Sequence, residues 1–166
     1  MTDDGRQKCL PPSSVIRLPS GFSMNIRLAT AADQKTVERM VHDAGINPIS
    51  LDWRRFIIAE EDGQTIGIGQ IKLHGDGSRE LASIAVIPER QGQGIGSEII
   101  RALLANETGA LYLTCRQELE TYYARFGFRR IERDEMTPYF RRLMRLAGVF
   151  MTLARGKGPI VMKREQ

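Results

Sequence analysis

Two kinds of hydrophobic spacing alternate along the chain and predict a mixed α/β (α+β) protein. Apolar residues at helical spacing predict four helices, at 30–45, 95–104, 119–126 and 137–153. Short runs of apolar residues predict about seven strands, at 25–28, 56–59, 65–73, 80–87, 111–115, 128–132 and 159–163. No internal repeat interrupts this order, so one domain over residues 24–166 accounts for it.

Turn and capping residues agree with these boundaries. Thr30 is an expected N-cap, with Asp33 three residues later, and Gly45 is placed to end the first helix. Asp62-Gly63 predicts a tight hairpin between two strands. Residues 1–23 contain Pro11 and Pro12 and few apolar side chains, so we expect a flexible N-terminal arm there.

A glycine-rich loop joins the strand that ends before Pro88 to the helix that begins near Ile95. Its sequence is Gln91-Gly92-Gln93-Gly94-Ile95-Gly96-Ser97. Free backbone amides and the positive end of the helix dipole converge at such a loop, and glycines let an anion approach the main chain closely. The loop therefore predicts a phosphate-binding site in which most donors are main-chain amides.

The residue spacing of the loop argues against two other kinds of nucleotide-binding loop. A dinucleotide-binding fingerprint needs its third glycine three positions after the second, whereas Gly96 follows Gly94 by two. A Walker A loop ends in Gly-Lys-Ser/Thr, whereas this loop continues to Ser97 and Glu98. A tight strand-to-helix turn without a ligand stays open as the alternative.

Composition narrows the class of protein. The chain has 166 residues, 42% of them apolar and 27% charged, which is ordinary for one globular domain. It shows no apolar stretch of membrane-spanning length and no secretory signal, so we expect a cytoplasmic protein without membrane contact. Cys9 and Cys115 match no disulfide framework or metal spacing, and we expect no metal.

The net charge of +4 does not by itself indicate nucleic-acid binding. The basic residues are unevenly distributed, because six arginines crowd one segment of the C-terminal third. This cluster is explained either by a solvated surface or by an anionic ligand, and it consists of Arg129, Arg130, Arg133, Arg141, Arg142 and Arg145. The aromatic residues of this region have helical spacing and are expected in a core, so no nucleic-acid partner is predicted.

Two motifs in order resemble those of the GCN5-related N-acetyltransferases, the GNAT family. Gln91, Gly94 and Gly96 match its Gln/Arg-x-x-Gly-x-Gly/Ala motif, and residues 122–128 (YYARFGF) resemble its aromatic-Tyr-x-Arg/Lys-x-Gly-Phe signature. The resemblance covers roughly residues 24–164. It implies a mixed, mostly antiparallel sheet flanked by helices, splayed between the fourth and fifth predicted strands, 80–87 and 111–115.

The resemblance also implies the ligand and its contacts. Acetyl-CoA is the expected co-substrate, with its pyrophosphate on residues 91–97 and its pantetheine arm paired with the strand backbone at Ile84, Ala85 and Val86. Tyr123 matches the family's frequent general acid, although a core aromatic would also fit the helix. Glu80, 11 residues before Gln91, matches a family base, although it is also explained as a solvated strand end.

The implied activity is transfer of an acetyl group to a primary amine by direct attack in a ternary complex. The expected acceptor is a small molecule or a peptide, with a small metabolite or amino acid favoured. The resemblance also implies that the protein could form a homodimer. A non-catalytic acyl-CoA-binding module is the alternative. Cys115 could carry an acetyl group, but a buried structural thiol explains it more simply.

Overall fold

The computed structural model describes residues 14–17, 23–49, 51–154 and 158–165. The strands are β1 (Ser14–Arg17), β2 (Ser23–Leu28), β3 (Phe56–Glu61), β4 (Gln64–Leu73), β5 (Arg79–Val86), β6 (Leu111–Cys115), β7 (Arg129–Arg130) and β8 (Ile160–Arg164). The helices are α1 (Gln34–Asp43), α2 (Ile95–Leu104), α3 (Glu120–Ala124) and α4 (Pro138–Ala154). None of the described helices is long and apolar enough to cross a membrane.

The chain divides into two compact units. The first comprises Met1–Ile71 and Leu81–Glu107, and the second comprises Lys72–Glu80 and Thr108–Gln166. Strands β4 and β5 each contribute residues to both units, because the division cuts them at Ile71 and Glu80.

In the first unit, β1 pairs with β2, β2 with β3, and β3 with β4, all antiparallel. Asp62 and Gly63, with φ of 48° and 75°, form the predicted turn between β3 and β4. Positive φ at both central positions matches the right-handed twist of the strands that such a turn joins. The expected hairpin is therefore confirmed.

Helices α1 and α2 cover opposite faces of the strands of this unit. Residues of α1 pack with Phe56, Ile58 and Ile68 in one buried cluster. On the other face, a β-carbon at Gly67 would lie 2.7 Å from Ile99 Cδ1 of α2, and one at Gly69 would lie 2.6 Å from Ile99 Cγ2. Neighbouring strand residues face opposite sides, so the small glycines let α2 lie directly on β4.

In the second unit, Glu80 at the start of β5 lies opposite Tyr112 of β6 in a parallel pair. Strand β8 pairs antiparallel with both β6 and β7. Helix α4 packs on these strands through Phe140, which is fully buried with Tyr112 and Val161. The core of this unit is thus formed where α4 meets β6 and β8.

The predicted fold class, a mixed and mostly antiparallel α/β arrangement, is confirmed. Strand β1 is an addition: residues 14–17 pair with β2, although we expected the whole segment 1–23 to lack regular structure. The rest of that arm lies outside the described residues, apart from Ser23 in β2. The strand predicted at 128–132 is reduced to Arg129–Arg130. The splay between β5 and β6 stays a prediction.

Candidate functional site

The glycine-rich loop follows a short 3-10 turn, Pro88–Arg90, and ends at the N-terminus of α2. Gly92 has φ of 76°, and Gly94, the N-cap of α2, has φ of 90°. Side chains are strained at such backbone angles, so the loop path requires glycine at both positions. Gly92 and Gly94 are exposed, so the main chain of the loop is accessible.

The loop presents backbone donors that the protein leaves unused. The first hydrogen bond of α2 runs from the Glu98 amide to the Gly94 carbonyl, 3.1 Å. Within the described residues, the backbone amides of residues 92–96 donate no hydrogen bond to the protein. Together with the helix dipole, these amides form an environment suited to a phosphate or diphosphate.

Charges near this helix end are arranged so that they do not oppose an anion. Glu98 in the first turn of α2 forms an ion pair with Arg101, which offsets its negative charge. Arg90 donates to Glu61 of β3 at 2.5 Å and so fixes the turn before the loop. Main-chain amides are therefore the donors that this helix end offers, and their use by a phosphate stays a prediction.

Glutamine side chains hold the loop against the preceding strand. Gln91 Nε2 donates to the Val86 carbonyl at 3.0 Å, and Gln93 Nε2 donates to the Glu89 carbonyl at 3.3 Å. The motif residue Gln91 therefore links the end of β5 directly to the loop. This contact gives a structural reason for an amide side chain at that position.

Backbone groups along strand β5 point alternately toward β4 and away from it. The Ile87 amide donates to the Ile66 carbonyl at the end of β4, 3.0 Å. Because backbone groups alternate in direction along a strand, those of Val86 point toward the other edge. The side chain of Ala85 is buried in the α1 cluster, whereas those of Ile84 and Val86 are partly exposed. The backbone groups of Val86, one of the residues expected to flank pantetheine, thus face the edge of β5 turned away from β4, where the Val86 carbonyl accepts from Gln91.

In the second unit, Glu80 is bonded to a histidine. His74 Nε2 lies 2.8 Å from Glu80 Oε2, and each side chain is 10% exposed. The His74 ring stacks on Tyr139 of α4, with ring centroids 3.5 Å apart. A solvated strand end, the alternative interpretation of Glu80, is therefore wrong, because the carboxylate is buried and paired.

The turn that carries His74 also caps α4. Asp76 Oδ2 accepts a hydrogen bond of 2.8 Å from the Tyr139 amide in the first turn of α4. Burial by itself raises the pKa of Asp76, but hydrogen bonds from the Ser78 hydroxyl and from the Tyr139 and Ser78 amides bring this pKa well below its usual range. The cap therefore keeps its negative charge, which the N-terminus of a helix favours.

Tyr123 lies in α3 among other aromatic rings. Its ring makes edge contacts with Tyr122 and Phe128, at centroid distances of 5.1 and 6.4 Å. Burial, followed by the nearby Cys115 and Tyr122, raises the pKa of Tyr123 well above its ordinary value. The phenol therefore stays protonated at neutral pH, so it can donate a proton or a hydrogen bond but cannot act as a base.

Cys115 is a buried thiol at the end of β6. Its sulfur lies 3.9 Å from the sulfur of Met162, and the residue is 8% exposed. Burial, with a smaller contribution from Glu120, raises the pKa of Cys115 to about 11. A neutral, buried thiol is a poor nucleophile, so the geometry favours a structural role.

Several of the clustered arginines are bound by the protein itself. Arg129 forms two hydrogen bonds with the Glu135 carboxylate, at 3.0 and 2.5 Å. Arg141 donates to the backbone carbonyls of Arg133 and Asp134. These contacts favour the solvated-surface explanation of the arginine cluster over an anionic ligand.

The sequence analysis did not indicate a role for His74. The available signal was its position: the turn at residues 74–77, which contains Gly75 and Gly77, brings His74 and Glu80 onto adjoining strand ends. It also did not indicate the contact between Gln70 and Ser83, described below. Both depend on side chains meeting across neighbouring strands.

Comparison with known proteins agrees with this geometry. A family model described as "Acetyltransferase (GNAT) domain" matches residues 52–130. This match includes β3 through β7 and the glycine loop. No curated protein sequence matches the chain.

Solved structures of acetyltransferases share the fold. N-acetylglutamate synthase from Neisseria gonorrhoeae, complexed with coenzyme A and N-acetyl-glutamate, aligns with a TM-score of 0.64 and 21% identity. The alignment covers 85% of this chain and 34% of that one, so the chain spans about a third of the synthase's length.

Two other solved structures match along nearly their whole length. Rv2747 from Mycobacterium tuberculosis, in complex with CoA, aligns with a TM-score of 0.64 and 22% identity, over 85% of this chain and 98% of that one. The ribosomal-protein-S18-alanine N-acetyltransferase from Escherichia coli aligns with a TM-score of 0.59 and 18% identity, over 85% and 92%. With the domain match, these structures confirm the resemblance: residues 52–130 match the GNAT acetyltransferase domain, and the fold is that of GNAT acetyltransferases.

Proposed function

We propose that this protein is an N-acetyltransferase that moves the acetyl group of acetyl-CoA to a primary amine. The observation that carries the proposal is the set of unused backbone amides at 92–96, on a path that only Gly92 and Gly94 permit. Two of the structural neighbours are complexed with coenzyme A, which supports this choice of ligand. The pyrophosphate of acetyl-CoA would lie on these amides at the start of α2.

The pantetheine arm would extend along β5. Its amides can pair with main-chain groups at Ile84 and Val86, which lie at the edge turned away from β4. Main-chain pairing aligns an extended ligand without demanding particular side chains. The Val86 carbonyl already accepts from Gln91, so this side chain would connect the arm-binding strand to the diphosphate loop.

The reaction would proceed by direct attack. The amine nitrogen bonds to the thioester carbonyl carbon, the C–S bond breaks, and the nitrogen loses a proton while the thiolate gains one. An amide of β5 near Ile84 would stabilise the charge that develops on the carbonyl oxygen. The buried thiol of Cys115 takes no part, because no acetyl-enzyme intermediate is formed.

Two side chains would transfer the protons of the reaction. Glu80, held by His74, would accept the proton of the amine, either directly or through water. Tyr123 would donate to the leaving thiolate, in keeping with its raised pKa. Both assignments rest on positions that match the family's motifs.

The acceptor is proposed to be a small metabolite or an amino acid. One structural neighbour is complexed with N-acetyl-glutamate and another is a ribosomal-protein alanine N-acetyltransferase, which supports both α-amines and peptide ends as candidates. Since the arginine cluster is largely engaged internally, we place no weight on an anionic acceptor.

The second candidate is a non-catalytic acyl-CoA-binding module. The hydrogen bond between Glu80 and His74 favours it, because the carboxylate is already used within the protein. Both candidates require the glycine loop, so binding of acetyl-CoA alone does not separate them.

A coenzyme A release assay tests the proposal. The protein is incubated with acetyl-CoA and panels of amino acids, polyamines, aminoglycosides and peptides, and free thiol is measured. We expect release above hydrolysis with at least one amine class. Binding of acetyl-CoA without release in any panel would favour the binding module, and absence of binding would contradict both.

A further inference from the structure

A buried hydrogen bond joins two polar side chains inside the first unit. Gln70 Nε2 of β4 donates to Ser83 Oγ of β5 at 2.9 Å. Gln70 is 0% exposed and Ser83 is 6% exposed. Gln70 lies opposite Phe56 in the register of β3 and β4, so the pair borders the apolar α1 cluster. A polar pair in this environment needs an explanation beyond packing.

Ser83 has an unusual backbone. Its φ is +55°, and it is the one residue with a positive φ within the strands that the structure describes. A left-handed residue in a strand disrupts the regular alternation of peptide groups, as in a β-bulge. The disruption falls directly before Ile84, where β5 is expected to meet the acyl end of the cofactor.

Gln70 also has an unsatisfied polar atom, which lowers the free energy of unfolding. Its Oε1 is buried and has no hydrogen-bond partner in the described part of the chain. A hydrophobic side chain of similar size would avoid this cost. The strained backbone of Ser83 and the unsatisfied oxygen of Gln70 both destabilise the fold, and the two residues are in direct contact. Such destabilising features cluster at functional sites, where a particular geometry is needed.

We propose that Gln70 is a positioning residue that acts through Ser83. The amide of Gln70 holds the Ser83 hydroxyl, and this bond fixes the left-handed backbone at residue 83. The fixed backbone sets the direction of the Ile84 amide, which donates to the thioester carbonyl. This inference rests on the proposed function, because it assumes acetyl-CoA at β5.

Glycine provides the decisive variant, since it adopts a positive φ without any side-chain bond. Gln70→Met and Ser83→Ala each remove the bond and leave a side chain at residue 83. Ser83→Gly also removes the bond but keeps the backbone angle accessible. The double variant Gln70→Met/Ser83→Gly then separates the backbone effect from any other role of Gln70.

The readouts are the affinities for acetyl-CoA and CoA by calorimetry and the infrared carbonyl stretch of bound acetyl-CoA. In Gln70→Met and Ser83→Ala we expect a loss of acetyl-CoA affinity of about fivefold, the size of one hydrogen bond, with CoA affinity unchanged. The carbonyl stretch should rise toward its free value. Ser83→Gly and the double variant should keep the wild-type frequency.

The outcomes distinguish this inference from the proposed function. Wild-type protein that binds neither ligand overturns both. If the wild-type protein binds acetyl-CoA but Gln70→Met and Ser83→Ala keep the wild-type carbonyl stretch, the positioning role alone is overturned. This conclusion holds whatever the melting temperatures of the two variants. A double variant as impaired as Gln70→Met shows that Gln70 does not act through the backbone of Ser83.

Discussion

His74 Nε2 lies 2.8 Å from Glu80 Oε2, and both side chains are nearly buried. The turn at 74–77 places the two residues side by side, and the ring of Tyr139 covers the imidazole. The candidate base is therefore half of a pair, not an isolated carboxylate. The histidine fixes the orientation of the carboxylate through this contact.

Substitution of Glu80 tests its role as the base. Glu80→Gln keeps the shape of the side chain but removes its basicity, so we expect kcat to fall by about 100-fold with the amine found in the release assay. The matched control is Glu132→Gln, because this carboxylate is exposed in the same unit and only loosely paired with Arg130. A Glu80→Gln enzyme with kcat within about twofold of wild type would remove Glu80 from the mechanism.

Gly96 offers a test of the diphosphate site that avoids backbone strain. It lies in the first turn of α2 and, unlike Gly92 and Gly94, has no positive φ. Gly96→Val adds bulk beside the unused amides, and we expect acetyl-CoA affinity to fall by at least about tenfold while the melting temperature changes little. Calorimetry and a thermal melt measure the two effects.

Ala105→Val is the control for Gly96→Val, because it changes the exposed C-terminal end of the same helix. It should leave acetyl-CoA affinity unchanged. Equal affinities in Gly96→Val and wild type would contradict binding of the diphosphate at this helix end. Gly94 is less suitable for this test, since its left-handed backbone makes any side chain a source of strain.

Tyr123→Phe removes the proposed acid while keeping the ring contacts with Tyr122 and Phe128. We expect kcat to fall by about 10- to 100-fold and the KM for acetyl-CoA to change little. Because the pKa of Tyr123 is raised, its protonated form persists across the neutral range, and the wild-type pH profile should show no loss of kcat from this group below about pH 10. Full turnover in Tyr123→Phe would leave the ring with a packing role alone.

Asp33 controls the stability of the first unit at low pH. Its carboxylate accepts from Arg27 Nη1 and Nη2 at 2.8 and 2.9 Å and from the Thr30 amide at 2.7 Å. The bonds from Arg27 and Thr30 hold the pKa of Asp33 well below its usual range, although burial opposes them. The folded-state pKa lies below the unfolded value near 4, so the stabilisation is complete above about pH 4 and is lost as pH falls through the folded pKa.

We therefore expect Asp33→Asn to lower the free energy of unfolding by about 2 kcal/mol at pH 7 and by less below about pH 4. Urea unfolding at several pH values measures this difference. Asp43→Asn is the control, since that carboxylate is exposed and, in the described part of the chain, forms an ion pair with the neighbouring His42 alone. A difference between wild type and Asp33→Asn that stays constant down to pH 2 would show that the ionised carboxylate is not the source of the stability.

The local structure was largely predictable because it depends on near neighbours in the sequence. Helical spacing located α1, α2 and α4 to within a few residues, and Asp62-Gly63 specified its turn. The glycine loop was identified from its own residues, since only glycine readily adopts the angles found at Gly92 and Gly94. Strand β1 was missed because four residues beside a Pro-rich segment acquire strand structure only by pairing with β2.

The sequence alone determined the order of the elements, the backbone path of the loop and the identity of the amides at the start of α2, because these follow from torsional preferences and hydrophobic periodicity. Tertiary structure decided which polar side chains meet. His74 with Glu80, and Gln70 with Ser83, are six and 13 residues apart, and their contacts depend on strand register and on the burial that neighbouring elements impose. Register and burial are properties of the assembled sheet, so no local pattern in the chain specifies them.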